Sequence, residues 1–181
     1  MAPKIRRLFL RIAIAVIIAA PPVAFLDFVL PHHAVLRIMG TQVKRSGTDS
    51  KSATGTRSGA GRDIYYIFAE DIETKKPRVF RNEDTGWAFP WYFKFNSADV
   101  QAVAQSIADE RGTAAITYYG WRFPLFSLFP NAIKVVRAEP GATPIPWFNI
   151  AFFAVIMGAT VWVTLTIRSL RKRPHRRPKP K

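Results

Sequence analysis

Asp84-Thr85-Gly86 is the tripeptide with which aspartic proteases present a catalytic carboxylate, and Glu83 stands directly before it. That chemistry needs two such loops meeting so that their carboxylates share a proton, and one copy per chain would demand a homodimer. The approach here is the charged Arg81-Asn82-Glu83 instead of an apolar strand, and Trp87 follows. Adjacent carboxylates rarely converge, so the tripeptide reads as a turn in which Asp84 accepts from backbone donors and Gly86 takes positive φ. His32 and His33 are also adjacent, with no Cys or Glu close in sequence. Neighbouring side chains point apart in most backbones, which argues against a metal site, and their position just after the first apolar stretch argues against a Ser-His-acid triad, whose base must sit beside a nucleophile within a shaped pocket. The chain has no cysteine and no glycine-rich phosphate loop. Thiolate nucleophiles, cysteine-ligated zinc and iron-sulfur clusters are therefore excluded. The residues read as non-enzymatic, without cofactor or metal.

Binding chemistry is better represented. Aromatic rings fall at alternate positions, Trp87, Phe89, Trp91, Phe93 and Phe95, so in an extended segment all five would share one face and make a continuous apolar ridge. Pro90 confines that segment to an edge or an irregular loop. A second set, Trp121, Phe123, Phe126 and Phe129, is interrupted by Pro124 and Pro130. These rings serve as core and loop packing, as a surface laid on a bilayer or a partner, or as a stacking face for a ligand. The candidate contacts are Arg81, Asp84, Trp87, Trp91, Tyr119, Trp121 and Arg122.

Two apolar stretches bracket these residues and must position them. Ile12 to Leu30 follows Lys4, Arg6, Arg7 and Arg11; Ile145 to Ile167 precedes a tail with eight Lys or Arg. Each is about long enough for a hydrocarbon core roughly 30 Å thick. Cleavage of the first as a signal after Ala20 would leave Pro21 beyond the cut, so an uncleaved anchor is expected. Pro21 and Pro22 are expected to kink it, and Asp27 is expected near its outer interface. The formal charge is +15, yet Pro31 to Pro144 holds 15 Lys or Arg against 11 Asp or Glu, leaving +4 there. The excess belongs to the flanks, which argues for topology over nucleic-acid binding. Both termini are accordingly expected in the cytoplasm, with the basic tail also drawn to anionic lipid headgroups.

Four segments follow: residues 1–30 as cytoplasmic N-terminus and first span, 31–144 as an outer domain, 145–167 as the second span, and 168–181 as the basic tail. In the outer domain, strands are expected at Val35 to Arg45, with a bulge at Gly40, at Arg62 to Ala69 and at Pro77 to Arg81. Ser46 to Gly61 contains only Ser, Gly, Thr, Ala and charged residues and reads as a flexible loop. Ser97 is expected to cap a helix ending near Gly112, with Val100, Val103, Ala104 and Ile107 facing the core. Two further strands are expected at Thr113 to Tyr119 and Asn131 to Ala138. The fold class is α+β: two transmembrane helices flanking a five-stranded OB-like barrel or sheet with one helix.

Arg81-Asn82-Glu83-Asp84-Thr85-Gly86-Trp87, Tyr92-Phe93-Lys94-Phe95-Asn96-Ser97-Ala98-Asp99, Tyr119-Gly120-Trp121-Arg122, Phe129-Pro130-Asn131 and Ile145-Pro146-Trp147-Phe148-Asn149 together resemble an uncharacterised bacterial family, domain-of-unknown-function family 1523. The resemblance covers most of the chain from His32 to the second span. It implies an inner-membrane protein with a periplasmic domain and carries no catalytic residues. The function expected is a scaffold, accessory subunit or assembly factor beside an unidentified membrane-protein partner. The alternatives are a periplasmic ligand-binding or sensing module and, remotely, an aspartic-type hydrolase.

Overall fold

Apolar residues that recur without break favour helices whose backbone polar groups are satisfied internally, and the two apolar stretches form the two long helices of the chain. The computed structural model describes residues 3–46 and 62–171, so the Ser/Gly/Thr-rich stretch from 47 to 61 and the tail from 172 onward lie outside the described residues. Met1–Pro144 and Ile145–Lys181 are two separate compact units. In the second, helix α3 spans Trp147–Arg171. In the first, helix α1 spans Pro3–Val29 and holds Pro21 and Pro22 within it. Arg7–Val29 and Trp147–Leu170 are each long and apolar enough to cross a membrane.

Between Leu30 and Pro144 the chain builds a closed barrel. Its strands are β1 (His32–Ser46), β2 (Arg62–Asp71), β3 (Pro77–Asn82), β4 (Thr113–Tyr119) and β5 (Asn131–Arg137), with helix α2 (Ser97–Asp109) between β3 and β4. Around the barrel the order is β1-β2-β3-β5-β4, and β4 returns to β1. This is the order of the OB-like barrel. One long strand serves two neighbours: His32 to Arg37 pairs with β4, and Leu36 to Ser46 pairs with β2. The register with β2 shifts between Ile38 and Gly40, a bulge with Met39 as the extra residue. Such an insertion bends the strand enough to close a small barrel.

Alternation puts Leu36, Ile38, Ile67, Ala69, Phe80, Ala114 and Ile116 inside, the extra residue Ile133 in β5 brings Ala132 and Val135 to the same side, and α2 adds Val100, Ala104 and Ile107. Val103, expected on the same face, is exposed. The buried stripe runs instead through Ser97, Val100, Gln101, Ala104 and Ile107, with the Ser97 carbonyl and Gln101 accepting from Asn82. Ser97 is the first helical residue and not the cap; the capping position is Asn96, which makes no side-chain cap bond.

The seam between β3 and β5 is the thin point of the closure. The two run parallel with a single register pair, Arg81 and Asn131, and the Arg81 N–H donates to the Pro130 carbonyl at 2.9 Å. The Asn131 side chain extends that ladder by one residue. Its Oδ1 accepts from the Glu83 N–H at 2.9 Å, and its Nδ2 donates to the Glu83 carbonyl at 3.1 Å. Replacing Asn131 with Ala removes both bonds and a third, from Nδ2 to the Tyr119 hydroxyl at 3.1 Å, each contributing about 1 kcal/mol net. Thermal melts of the detergent-solubilised chain are expected to show a loss of about 3 kcal/mol, against about 3–5 kcal/mol for Phe80→Ala in the core.

Candidate functional site

The segment after β3 turns at Gly86 and Trp87, where Gly86 takes φ +54°, and is drawn back on itself at Lys94. The Gly86 N–H donates to the Lys94 carbonyl at 3.0 Å, and the Lys94 N–H donates to Thr85 Oγ1 at 3.1 Å. Alternation survives although no strand forms. Pro90 and Lys94 turn inward and are buried, Tyr92 is half-buried, and the five odd-numbered rings all face out. The expected single ridge is divided: Trp87 packs edge-on against Phe93 and Phe95, whereas Trp91 packs edge-on against Phe89. Trp87 is 78% exposed and Trp91 67%, so these rings are a surface and not core filling.

Beneath that surface lies a polar network centred on buried residues. Lys94 Nζ donates to Asn82 Oδ1 and, at 3.2 Å, to the Glu83 carbonyl. Asn82 Nδ2 in turn donates to the Ser97 carbonyl at 2.8 Å and to Gln101 Oε1 at 3.1 Å. Burial pushes the Lys94 ammonium down to about 8, although the Asp84 and Glu83 charges act in the opposite direction. Asp84 caps α2 from a distance, accepting from the Ser97 N–H at 2.8 Å and the Ser97 hydroxyl at 2.9 Å. Both carboxylate oxygens are thereby committed to the positive end of a helix. Arg81 forms an ion pair with Glu83. The Arg81-to-Gly86 segment thus joins the barrel seam, the aromatic loop and the start of α2.

Tyr119, Trp121 and Arg122 belong to the other half of the site, where α1 enters the barrel. The last carbonyls of a helix have no partner within it. Here Leu26 accepts from the Leu30 N–H at 2.8 Å, Asp27 from His32 Nε2 at 2.7 Å, Phe28 from the Gly120 N–H at 2.9 Å, and Val29 from the Tyr92 hydroxyl. Tyr92 stacks on Tyr119 with ring centres 5.0 Å apart, and Asn131 Nδ2 donates to the Tyr119 hydroxyl at 3.1 Å. Burial raises the phenol pKa of Tyr92, with Tyr119 adding to it, and burial likewise raises that of Tyr119. Trp121 lies edge-on to Phe28 and donates to Asp27 Oδ2 at 2.7 Å. Gly120 takes φ +88°, a conformation that costs a side-chain-bearing residue energy, and its N–H must reach Phe28.

Beside this joint opens a cavity of about 580 Å³, with Asp27, His32, Arg78, Tyr118, Trp121 and Arg122 among its lining residues. Arg78 Nη2 donates to the Tyr118 hydroxyl at 2.8 Å, and its guanidinium lies over the Phe80 and Tyr118 rings. The Arg122 guanidinium lies 4.0 Å from the centre of the Phe129 ring, and its Nη1 donates to the Leu128 carbonyl at 2.8 Å. His33 points away and bonds Thr117 Oγ1 at 3.1 Å; burial, then His32, lowers its pKa. Among the described residues no three His, Cys, Asp or Glu side chains group to hold a metal ion.

The fold therefore gathers Trp121 and Arg122 at the cavity and separates them from Arg81 and Asp84, while Trp87 and Trp91 lie out on the aromatic loop. Sequence reasoning missed Arg78 and Lys94 as members of the site. Each carried a partial signal: in Pro77-Arg78-Val79-Phe80-Arg81-Asn82 alternation puts Arg78 on the face of Phe80, and it puts Lys94 on the face opposite the five rings without saying which of the two is inward.

Two outcomes are expected for the detergent-solubilised chain. The folded-state pKa of Lys94, about 8, lies below its ordinary value of 10.5, so below pH 8 folding carries the full cost of burying the charge, and stability rises as pH climbs from 8 toward 10.5. The raised Tyr92 and Tyr119 values act oppositely and remove stability above about pH 10, where the unfolded phenols ionise first. Melting temperature scanned from about pH 7 to about pH 11 should pass through a maximum, and Lys94→Met should abolish the rise while leaving the fall. Separately, Gly120→Ala should cost about 1–2 kcal/mol through backbone strain, and Tyr92→Phe about 1 kcal/mol through the lost bond to Val29.

Comparison with known proteins agrees on the family without supplying an activity. A Haemophilus influenzae protein described as "Uncharacterized protein" is 39% identical over 119 residues, covering 65% of this chain and 68% of that one. No solved structure matches the chain. The model of the family described as "Protein of unknown function (DUF1523)" matches residues 6–171, and the chain belongs to that family.

Proposed function

We propose that this is a non-enzymatic inner-membrane protein that holds an OB-like barrel against the outer face of the membrane as a scaffold, accessory subunit or assembly factor. In this reading residues 1–30 contain a cytoplasmic N-terminus and first span, 31–144 are periplasmic, 145–167 return through the membrane, and 168–181 form a cytoplasmic tail attracted to anionic headgroups. The distribution of Lys and Arg supports that orientation. The observation that carries the proposal is the capped end of α1, whose last three carbonyls are held by donors from the barrel and its aromatic loop. A domain tied so directly to its anchor cannot reorient freely on a linker. Its exposed rings then face a fixed direction.

The aromatic loop supports a seat on lipid. Phe89 stacks on Phe25 of α1, with ring centres 5.7 Å apart. Phe25 lies four residues before Val29, which is about 6 Å back along the helix axis. If α1 spans the bilayer, Phe89 and its neighbour Trp91 descend beside it to the interfacial depth that Trp and Phe favour. Trp87, Trp91 and Arg122 remain the candidate contacts for a membrane-protein partner. The cavity at the joint favours a second reading, a ligand-binding module.

Reporter fusions at residue 144 and at the C-terminus, with crosslinking and mass spectrometry in cells, test the proposal together. The expected result is an exported reporter at 144, a cytoplasmic one at the C-terminus, and a recurrent membrane-protein crosslink from the Trp87–Phe95 loop that is lost in Trp87→Ala/Trp91→Ala. An exported C-terminus would sink the topology. Absence of any recurrent partner at native expression would sink the scaffold role.

A further inference from the structure

Among the described residues neither guanidinium at the α1 joint lies within 4.0 Å of a carboxylate, although, behind the hydrogen bonds from Thr74, the charge of Arg78 reaches Asp71 and adds a small part to the lowering of its pKa. Among the described residues the ion pairs within 4.0 Å include Lys75 with Glu70, Arg81 with Glu83 and Arg137 with Glu110, and none of them uses Arg78 or Arg122. Arg78 is half-buried and held in place by Phe80 and Tyr118, while Arg122 is held by Phe129 and the Leu128 carbonyl. Both line the same cavity with His32, Trp121, Tyr118 and Asp27. Asp27 is the one acid there, and its carboxylate already accepts from Trp121 Nε1 and lies 4.0 Å from His32 Nε2. The carbonyls at the end of α1 would repel an anion if left open, but each of the last four accepts a hydrogen bond. Positive charge is thus concentrated in a concave site whose local negative groups are occupied. Planar guanidiniums with free N–H groups match the oxygens of a phosphate, and two of them can hold it from different sides.

We propose that this cavity binds a phosphate monoester or diester anion, presented by the headgroup of an anionic phospholipid. The lipid source rests on the membrane-anchored reading: the cavity adjoins the last turn of α1, where a bilayer would place its phosphates, and Val79, Trp121 and Pro130 in its lining offer apolar wall for the glycerol and upper acyl carbons. Bound there, a headgroup would fasten the barrel to the membrane at a second point beside the helix. It would also fix the Gly120-Trp121-Arg122 turn that closes over Phe28.

The test uses the full chain in a nonionic detergent, titrated by calorimetry with short-chain phosphatidylglycerol, with the matching uncharged diacylglycerol, and with glycerol 3-phosphate and inorganic phosphate. Saturable binding of phosphatidylglycerol but not of diacylglycerol is expected, weakened about tenfold or more in Arg122→Gln and in Arg78→Gln. Arg122→Lys should recover part of the loss, because charge remains without the fork. Arg78 packs on the core residue Phe80, so Arg122→Gln, on an exposed loop, is the variant that decides if Arg78→Gln fails to fold. Equal affinity for the two soluble phosphates would support the anion site and overturn the lipid as its source. Equal binding of diacylglycerol, an affinity unaltered by Arg122→Gln, or no binding at all would overturn the site itself. Since binding in detergent does not depend on which way the chain faces, this result and the reporter fusions fail independently.

Discussion

A helix that stops leaves its final carbonyls pointing at nothing, and an unpaired buried carbonyl costs about 1–3 kcal/mol. In this protein the end of α1 is completed by the barrel: the His32 imidazole, the Gly120 amide and the Tyr92 hydroxyl each fill one vacancy. Those three donors come from the start of β1, the turn after β4 and the aromatic loop. They are 88 residues apart at their extremes in sequence, counting His32 to Gly120, and only the closed barrel brings them to one helix end. Much else is arranged around that joint. Trp121 reaches Asp27, Phe28 lies between Tyr119 and Trp121, and the arginine-lined cavity is the space left beside them.

The barrel meets its own closing problem with the same economy of side chains. A parallel pair of strands joined at one position is weak by itself, and Asn131 lengthens it by imitating backbone toward Glu83. On the inner side Asn82 and Lys94 link β3, the aromatic loop and α2 through buried bonds. Such networks favour one arrangement because a half-satisfied version is worse than none. The chemistry-bearing appearance of Arg81-Asn82-Glu83-Asp84 thus has a structural account in which every member has a partner. Asp84 spends its carboxylate on the start of α2, where the helix dipole and the Ser97 donors both favour a negative charge.

The difference between the two halves of the candidate site is one of satisfaction. The seam residues hold one another, whereas Arg78 and Arg122 are positioned by aromatic faces and neutral acceptors and keep donor capacity toward the cavity. A guanidinium stacked on a ring and not in a close ion pair keeps its charge for something else. The outward rings of the Trp87–Phe95 loop are likewise unspent, since the core is complete without them. Ligand and partner surfaces are therefore sought at the joint and along the loop, away from the Asp-Thr-Gly turn.

What the sequence determined was whatever depends on local period and composition. The two apolar runs, the five strands and α2 are written in unbroken, alternating and helical patterns, and the strand order with one intervening helix was enough to reach the OB-like barrel. Gly86 announced its positive φ through its place in a turn. Tertiary structure alone decided contacts between residues distant in sequence. Ser97 read as a cap by its own position, yet the capping oxygens come from Asp84, and the buried stripe is turned away from Val103 toward Gln101, which accepts from the buried Asn82. The outward phase of the five rings could not be read either, because alternation tells which residues share a face and never which face meets the core. The arginine cavity is the furthest from legibility. It exists because barrel closure carries β3, the β4–β5 turn and the end of α1 to one place, and hydrogen bonds there discharge the local acceptors while leaving the positive charge intact.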